Sequence, residues 1–169
     1  METIKNSSHP RRPVITQDKN NTTLWIGHLQ TDPNDHFAGQ TFTCPTAGIL
    51  DNIQVYSSAV HNPGDIVLTL HEFNAANKTW GPALGNCTLA VQKNDASKWI
   101  RFALPAIQLK QGATYGFRLQ TPNAMIGLGE AVTGTQQPFT GHEWNGDSTN
   151  QRGRFYSYFS LAFKVELCA

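Results

Sequence analysis

Residues 63–74 read PGDIVLTLHEFN. Pro63 presets φ and Gly64 accepts a positive φ, so the stretch opens with a turn. After the turn Ile66, Leu68 and Leu70 alternate with Val67, Thr69 and His71. That two-residue period puts one set on a core face and the other on an outer face of a strand. The same period recurs in GQTFTCPTAG (39–48), LDNIQVYSS (50–58), SKWIRFAL (97–104), GATYGFRLQ (112–120) and FYSYFSLAFKVEL (155–167). No segment has a helical period and no internal repeat stands out. Roughly eight to ten short strands separated by turn signals predict an antiparallel all-β sandwich or barrel.

Parity then divides the side chains. Ile66, Leu68 and Leu70, then Ile100, Phe102 and Leu104, then Tyr115, Phe117 and Leu119 each share a face. In the closing stretch Phe155, Phe159, Leu161, Phe163, Val165 and Leu167 share one phase. These positions are the expected core, and a one-residue slip would expose all of them. Residues 1–21 are expected to form a polar arm, because Pro10 and Pro13 bracket Arg11 and Arg12 and disfavour both helix and central strand. Residues 22–169 then make the single β domain. Within it, 74–82 reads as a loop carrying Trp80, a further contact candidate or a cap on the end of the sandwich, and 132–152 as a long polar connection.

The chain has 169 residues, 39% hydrophobic and only 15% charged, with 13 basic and 12 acidic residues and a net charge of +1. No basic stripe forms, which argues against nucleic acid as a partner. No apolar run reaches the length of a helical membrane span. The first 21 residues lack the apolar centre of a secretory signal, leaving the compartment open between cytoplasm and an exported, processed form. A surface of Asn, Gln, Thr, Ser and Gly suits neutral partners such as sugars. Cys44, Cys87 and Cys168 match no zinc spacing. They read as small buried hydrophobes, with Cys44 and Cys168 on the apolar phase of their strands.

GQTFTCPTAGILDNIQVYSS, PGDIVLTLHEFN, WIRFALPAIQLKQGATYGFRLQ and the closing LAFKVEL together resemble bacterial jelly-roll modules. There a strand of the form GQTF-x-x-P-x-x-G-x-L opens the domain and a W-x-x-F strand precedes L-x-x-G-x-x-Y. The likeness runs over residues 37–167. It implies an all-β, antiparallel, jelly-roll-like β-sandwich, similar to carbohydrate-binding modules of surface and secreted proteins, and hence a secreted or cell-surface location. Its motifs mark strands, turns and core positions, so they speak to fold more than to function.

The outward phase carries His71, Trp99, Arg101, Arg118, Tyr156 and Tyr158. If their strands are neighbours, aromatic planes and guanidinium forks share one surface. Sugars stack their C–H faces on such rings and bond such donors. The competing expectation is that these aromatics pack under a loop or bury a homo-oligomer interface, which is also rich in Trp, Tyr and Arg. Residues 141–147, GHEWNGD, form the densest polar constellation, and Trp144 is costly to leave exposed unless it packs or binds. Glu143, Asn145 and Asp147 offer oxygens at alternate positions, which suits a hard cation such as Ca²⁺. Asp32, Asn34 and Asp35 form a second oxygen group, and jelly-roll modules often hold a structural calcium near their first strands. Asn and Asp bonding their own backbone in turns is the competing reading at both places.

Catalytic signals are thin. There is no Gly-x-Ser-x-Gly elbow, no His-Glu-x-x-His and no phosphate loop. A glycan-active jelly roll needs two carboxylates facing across a cleft, and Glu72, Glu130, Glu143 and Asp147 are the candidate suppliers. The sequence therefore predicts a non-catalytic carbohydrate-binding or surface-recognition module. A structural homo-oligomer is the alternative, and a glycan-active enzyme comes third.

Overall fold

The computed structural model describes residues 10–28, 33–132 and 139–169. They form thirteen strands in one curled antiparallel sheet. In chain order these are β1 (Arg11–Gln17), β2 (Thr22–His28), β3 (Asp35–Thr43), β4 (Gly48–Asn62), β5 (Gly64–Asn74), β6 (Thr79–Val91) and β7 (Lys98–Leu109). There follow β8 (Thr114–Gln120), β9 (Met125–Val132), β10 (Glu143–Asp147), β11 (Asn150–Tyr156), β12 (Phe159–Leu161) and β13 (Phe163–Cys168). A three-residue 3₁₀ turn, Lys93–Asp95, is the one helical piece among the described residues.

The main path of pairing runs β1-β13-β4-β9-β2-β3-β8-β5-β6. The fifteen-residue β4 is its hinge. Ile53 pairs with Val165 of β13 on one edge and Phe102 of β7 on the other, and Ser57 pairs with Leu128 of β9 and Lys98 of β7. β13 and β9 therefore occupy one edge of β4 in succession. Register shifts at 57–59 and 60–62 bend the strand between the two layers, as bulges do at sandwich corners. The curl brings distant strands face to face: Phe163 of β13 lies 6.2 Å from Phe42 of β3 and 5.7 Å from Phe117 of β8. The fold is thus a β-sandwich of the jelly-roll-like class.

The predicted core phases are buried at Ile66, Leu68, Leu70, Phe102, Leu104, Tyr115, Phe117, Leu119, Leu161, Phe163, Val165 and Leu167, while Ile100 is half-buried and packs against them. The closing stretch departs from the single phase expected of it. It breaks at residues 157–158 into β11 and β12, and again before β13, so Phe155 and Phe159 are only half-buried. The β10–β11 hairpin turns Phe155 to the outer face, as its ring contacts there show.

Four further expectations change. Within the stretch read as a polar arm, β1 is a strand paired to β13, with Ile15 in the core. Pro13 is tolerated because β1 lies at the end of the sheet path and the register shifts at 13–15. Trp80 lies on β6 rather than in a loop, because the β5–β6 turn tightens to 75–78, with Lys78 at φ 52. Glu143–Asp147 is strand β10, held between β3 and β11. Cys168 sits on the outward phase of β13, half-buried, with Sγ 4.0 Å from an Asp51 oxygen, whereas Cys44 is fully buried. All three cysteines are unpaired.

Candidate functional site

β5 and β8 are neighbours, with Thr69 opposite Arg118 and His71 opposite Gly116, so His71 and Arg118 share the outer face. His71 is buried; its Nδ1 donates to the Gly81 carbonyl at 3.0 Å and its Nε2 accepts from Arg118 Nη2 at 3.1 Å. Those two bonds require the neutral ring. Burial lowers the His71 pKa and the Arg118 charge lowers it further, against the raising effect of the Gly81 bond. Arg118 is itself partly desolvated, which lowers its pKa. Its guanidinium lies 4.8 Å from the Trp80 ring and 5.9 Å from the Trp144 ring. A cation held over desolvated rings in this way is stabilised by about 2 kcal/mol.

The rings form a connected cluster. Trp80 meets His71 at 5.5 Å, Phe73 at 5.2 Å and Trp144 at 5.4 Å, each edge-on. Phe155 closes it, 5.4 Å from Phe73 and 6.2 Å from Trp80. Gly116 makes room for this arrangement: a Cβ there would stand 2.6 Å from Trp80 Cζ3. Trp144 is 1% exposed, and its Nε1 donates to the Arg152 carbonyl at 2.9 Å. It is a buttress that a ligand cannot reach. Trp80 and Phe155, both half-buried, border an open cleft of about 690 Å³ that Asn77, Lys78, Gln151 and Arg152 also line. Ring edges beside amide and cationic donors can hold a hydroxylated ligand.

Trp99 and Arg101 are not part of this cluster, because β7 pairs with β4 rather than with β5 or β8. Arg101 Nη2 binds Asp51 at 3.0 Å, and Lys164 Nζ lies 4.1 Å from the Trp99 ring centre. Tyr156 and Tyr158 form a third group, 5.9 Å apart, with Phe159 5.7 and 4.6 Å from them. The seven ligand-contact candidates are thus spread over three places. Only His71, Arg118 and Trp144 converge.

The oxygen groups separate as well. Asp147 Oδ1 accepts from Thr149 N and Oγ1 and from Asn150 N, at 2.6–2.8 Å, so it caps its own turn. Those bonds, from Thr149 first, hold its carboxyl below the usual range. Asp32 lies outside the described residues. Asp35 pairs with His28 at 3.1 Å, and Ser148 Oγ bridges the Asp35 amide and Asn34. Glu72 is exposed at the end of β5. Glu130 and Glu143 do meet, but inside the sandwich, at 8% and 0% exposure, rather than across an open groove. Burial and the neighbouring Glu130 push the Glu143 carboxyl up to about 10. Among the described residues no three of His, Cys, Asp and Glu gather as a metal cluster.

Phe73, Phe155 and the cleft residues Asn77, Lys78, Gln151 and Arg152 are the site residues that sequence reasoning missed. Parity assigned Phe155 to the core, and only the pairing of Trp144 with Phe155 across β10 and β11 reveals its true face.

No protein-family model matches the chain, and no curated protein matches its sequence. Solved structures do. A clostridial cysteine protease, Cwp84, after propeptide cleavage is similar at 10% identity with a TM-score of 0.58, over 96% of this chain and 41% of that one. A structure of the cysteine protease and lectin-like domains of Cwp84, a surface-layer-associated protein of Clostridium difficile, is similar at 10% identity and a TM-score of 0.50. That likeness covers 78% of this chain and 31% of the other. The chain therefore spans less than half the length of either structure, and the likeness is one of fold.

Proposed function

We propose that the chain is a non-catalytic carbohydrate-binding or surface-recognition module. Its ligand surface is the cleft between the β5–β6 turn and β11, where Trp80 and Phe155 supply ring surface and Asn77, Lys78, Gln151 and Arg152 supply donors and acceptors. The observation that carries this reading is the convergence of Trp80, Phe155 and Arg118 beside one open, amide-lined cleft. Arg118 and His71 act beneath it by fixing the Trp80 ring. Support comes from the similarity to a surface-layer-associated protein with a lectin-like domain, the part an all-β chain fits, and it favours a secreted or cell-surface location. Neutral glycans are the ligand class, with C–H groups against the Trp80 and Phe155 rings and hydroxyls bonded by the Asn77 and Gln151 amides, Lys78 and Arg152.

A glycan array followed by calorimetric titration of the best hit tests this. Binding is expected to fall more than about tenfold in Trp80→Ala and in Gln151→Ala/Arg152→Ala, and to survive Trp99→Ala unchanged. No glycan hit, or an equal loss in Trp99→Ala, overturns it.

A second reading rests on one patch. Tyr158 and Val132 are 49% and 52% exposed, and Phe159 is paired across strands with Val132. Such an apolar strip suits a homo-oligomer interface. A concentration-independent dimer or trimer by sedimentation that Tyr158→Ala dissociates would favour it.

A further inference from the structure

Glu143 is fully buried, and neither of its carboxyl oxygens accepts a hydrogen bond; the Asn145 amide oxygen is buried and unpartnered too. Both residues stand on the inward phase of β10, opposite Gln40 and Ala38 of β3. Glu130 of β9 is the cross-strand partner of Leu161, whose amide bonds the Gln40 side chain opposite Glu143, so strand pairing brings Glu130 next to Glu143. Buried oxygens without donors carry their full desolvation cost. One proton shared between the two carboxyls offsets part of that cost, but it leaves the Asn145 oxygen unsatisfied.

We propose that Glu143, Glu130 and the Asn145 amide oxygen form a binding site for one hard divalent cation of the Ca²⁺ class. Two carboxylates balance the charge of such an ion, and an all-oxygen set completed by backbone or water oxygens matches its preference. The absence of His and Cys from the group disfavours zinc. Thr22 Oγ1 donates to Glu130 Oε1 at 2.8 Å and orients that carboxylate, as outer-shell partners of metal ligands do. The Gln40 amide is already used: its oxygen accepts from Leu161 N at 3.0 Å and its nitrogen donates to the Thr41 carbonyl at 3.2 Å. Gln40 is therefore wall rather than ligand. Asp147, at the third alternate position of β10, is committed to its turn. On the solvent side, Asn145 also lines a polar cleft of about 290 Å³ together with Tyr156, the cross-strand partner of Glu143. His36, Asp147 and Arg154 are the charged or titratable groups at its mouth. The site is separate from the Trp80 cleft and stands or falls independently of glycan binding.

The test is calorimetric titration of the full, EDTA-treated chain with CaCl₂ at neutral pH, with thermal unfolding read in parallel. Wild type is expected to bind one ion and to melt about 5 °C higher in saturating Ca²⁺ than in EDTA. Glu143→Gln and Glu130→Gln are each expected to fold, to lose the Ca²⁺ response, and to melt above metal-free wild type. Asp147→Asn is expected to keep the response. A wild type with neither Ca²⁺ heat nor a Ca²⁺-dependent Tm overturns the proposal and identifies a shared-proton pair instead. Loss of the response in Asp147→Asn, or an equal response to Mg²⁺, also overturns it.

Discussion

The two outer faces of the sandwich each carry a tryptophan and an arginine, and they use them in opposite ways. On the β4–β7–β13 face, Arg101 and Arg11 both bind Asp51, at 3.0 and 3.3 Å. Asn52 donates to Asp51 and Glu166, and Gln54 donates to Glu166 and Asn52. Burial alone would raise the Asp51 pKa, but the Asn52 and Arg101 bonds and the two arginine charges outweigh it and hold it down. This face is a polar web closed on itself, with Trp99 capped by Lys164 and edged by Tyr56. On the β5–β8 face, Arg118 bonds His71 and otherwise lies on rings, and those rings border a cleft. Residue type does not mark a binding surface. What matters is whether the neighbouring strand supplies a counter-charge.

Substitution should separate the faces. Trp144→Ala is expected to cost about 3–5 kcal/mol in urea unfolding, since a fully buried ring leaves a cavity. Trp99→Ala, half-buried under a lysine, is expected to cost about 1 kcal/mol. Equal losses would break the comparison. Next in size, Arg118→Met strips the donor from His71 Nε2 and the cation from Trp80, for about 1–3 kcal/mol. Arg101→Met is expected to cost under about 1 kcal/mol, because its pair is solvent-accessible.

The smallest effects lie in pH. The folded His71 pKa is lowered, so the unfolded chain takes up its proton first as pH falls. His71 therefore contributes stability that is present above its unfolded pKa of 6.5 and lost as pH falls through the folded value. His142, lowered by burial and by Lys78, adds to the same window, so the readout is wild type minus His71→Gln. That difference is expected to slope between about pH 7 and 5. Asp51, with a lowered pKa, contributes stability that is present above 3.8 and lost only as pH falls below it, so Asp51→Asn should alter the curve there. In metal-free buffer Glu143 acts in the reverse sense: stability is fullest below 4.5 and falls as pH rises toward about 10, and Glu143→Gln should flatten that slope.

The alternation of residues made the sandwich legible, because a period of two is a local property and burial follows it strand by strand. Phe102, Phe117 and Phe163 could be assigned to the core from parity alone. Strand adjacency is not local. That β7 lies beside β4, and β8 beside β5, decides which outward residues meet, and no spacing encodes it. The same limit hid the Glu130–Glu143 contact, which joins β9 to β10, and the true face of Phe155. Cys168 was misplaced for a simpler reason: it is one residue out of phase with Phe163, Val165 and Leu167. Pro13 misled because its cost depends on edge position, which only the sheet order reveals.

The pairing of β1 with β13 has a kinetic consequence. The first described strand forms its ladder with the last, and the Ala169 amide donates to the Pro10 carbonyl at 2.9 Å. During synthesis β1 must wait for nearly the whole domain to emerge before it finds its partner. Ile15 stays exposed until then, and docking of the two ends is expected to be a late step of folding. Deleting 163–168 would free β1 as well, turning one lost strand into two unpaired edges.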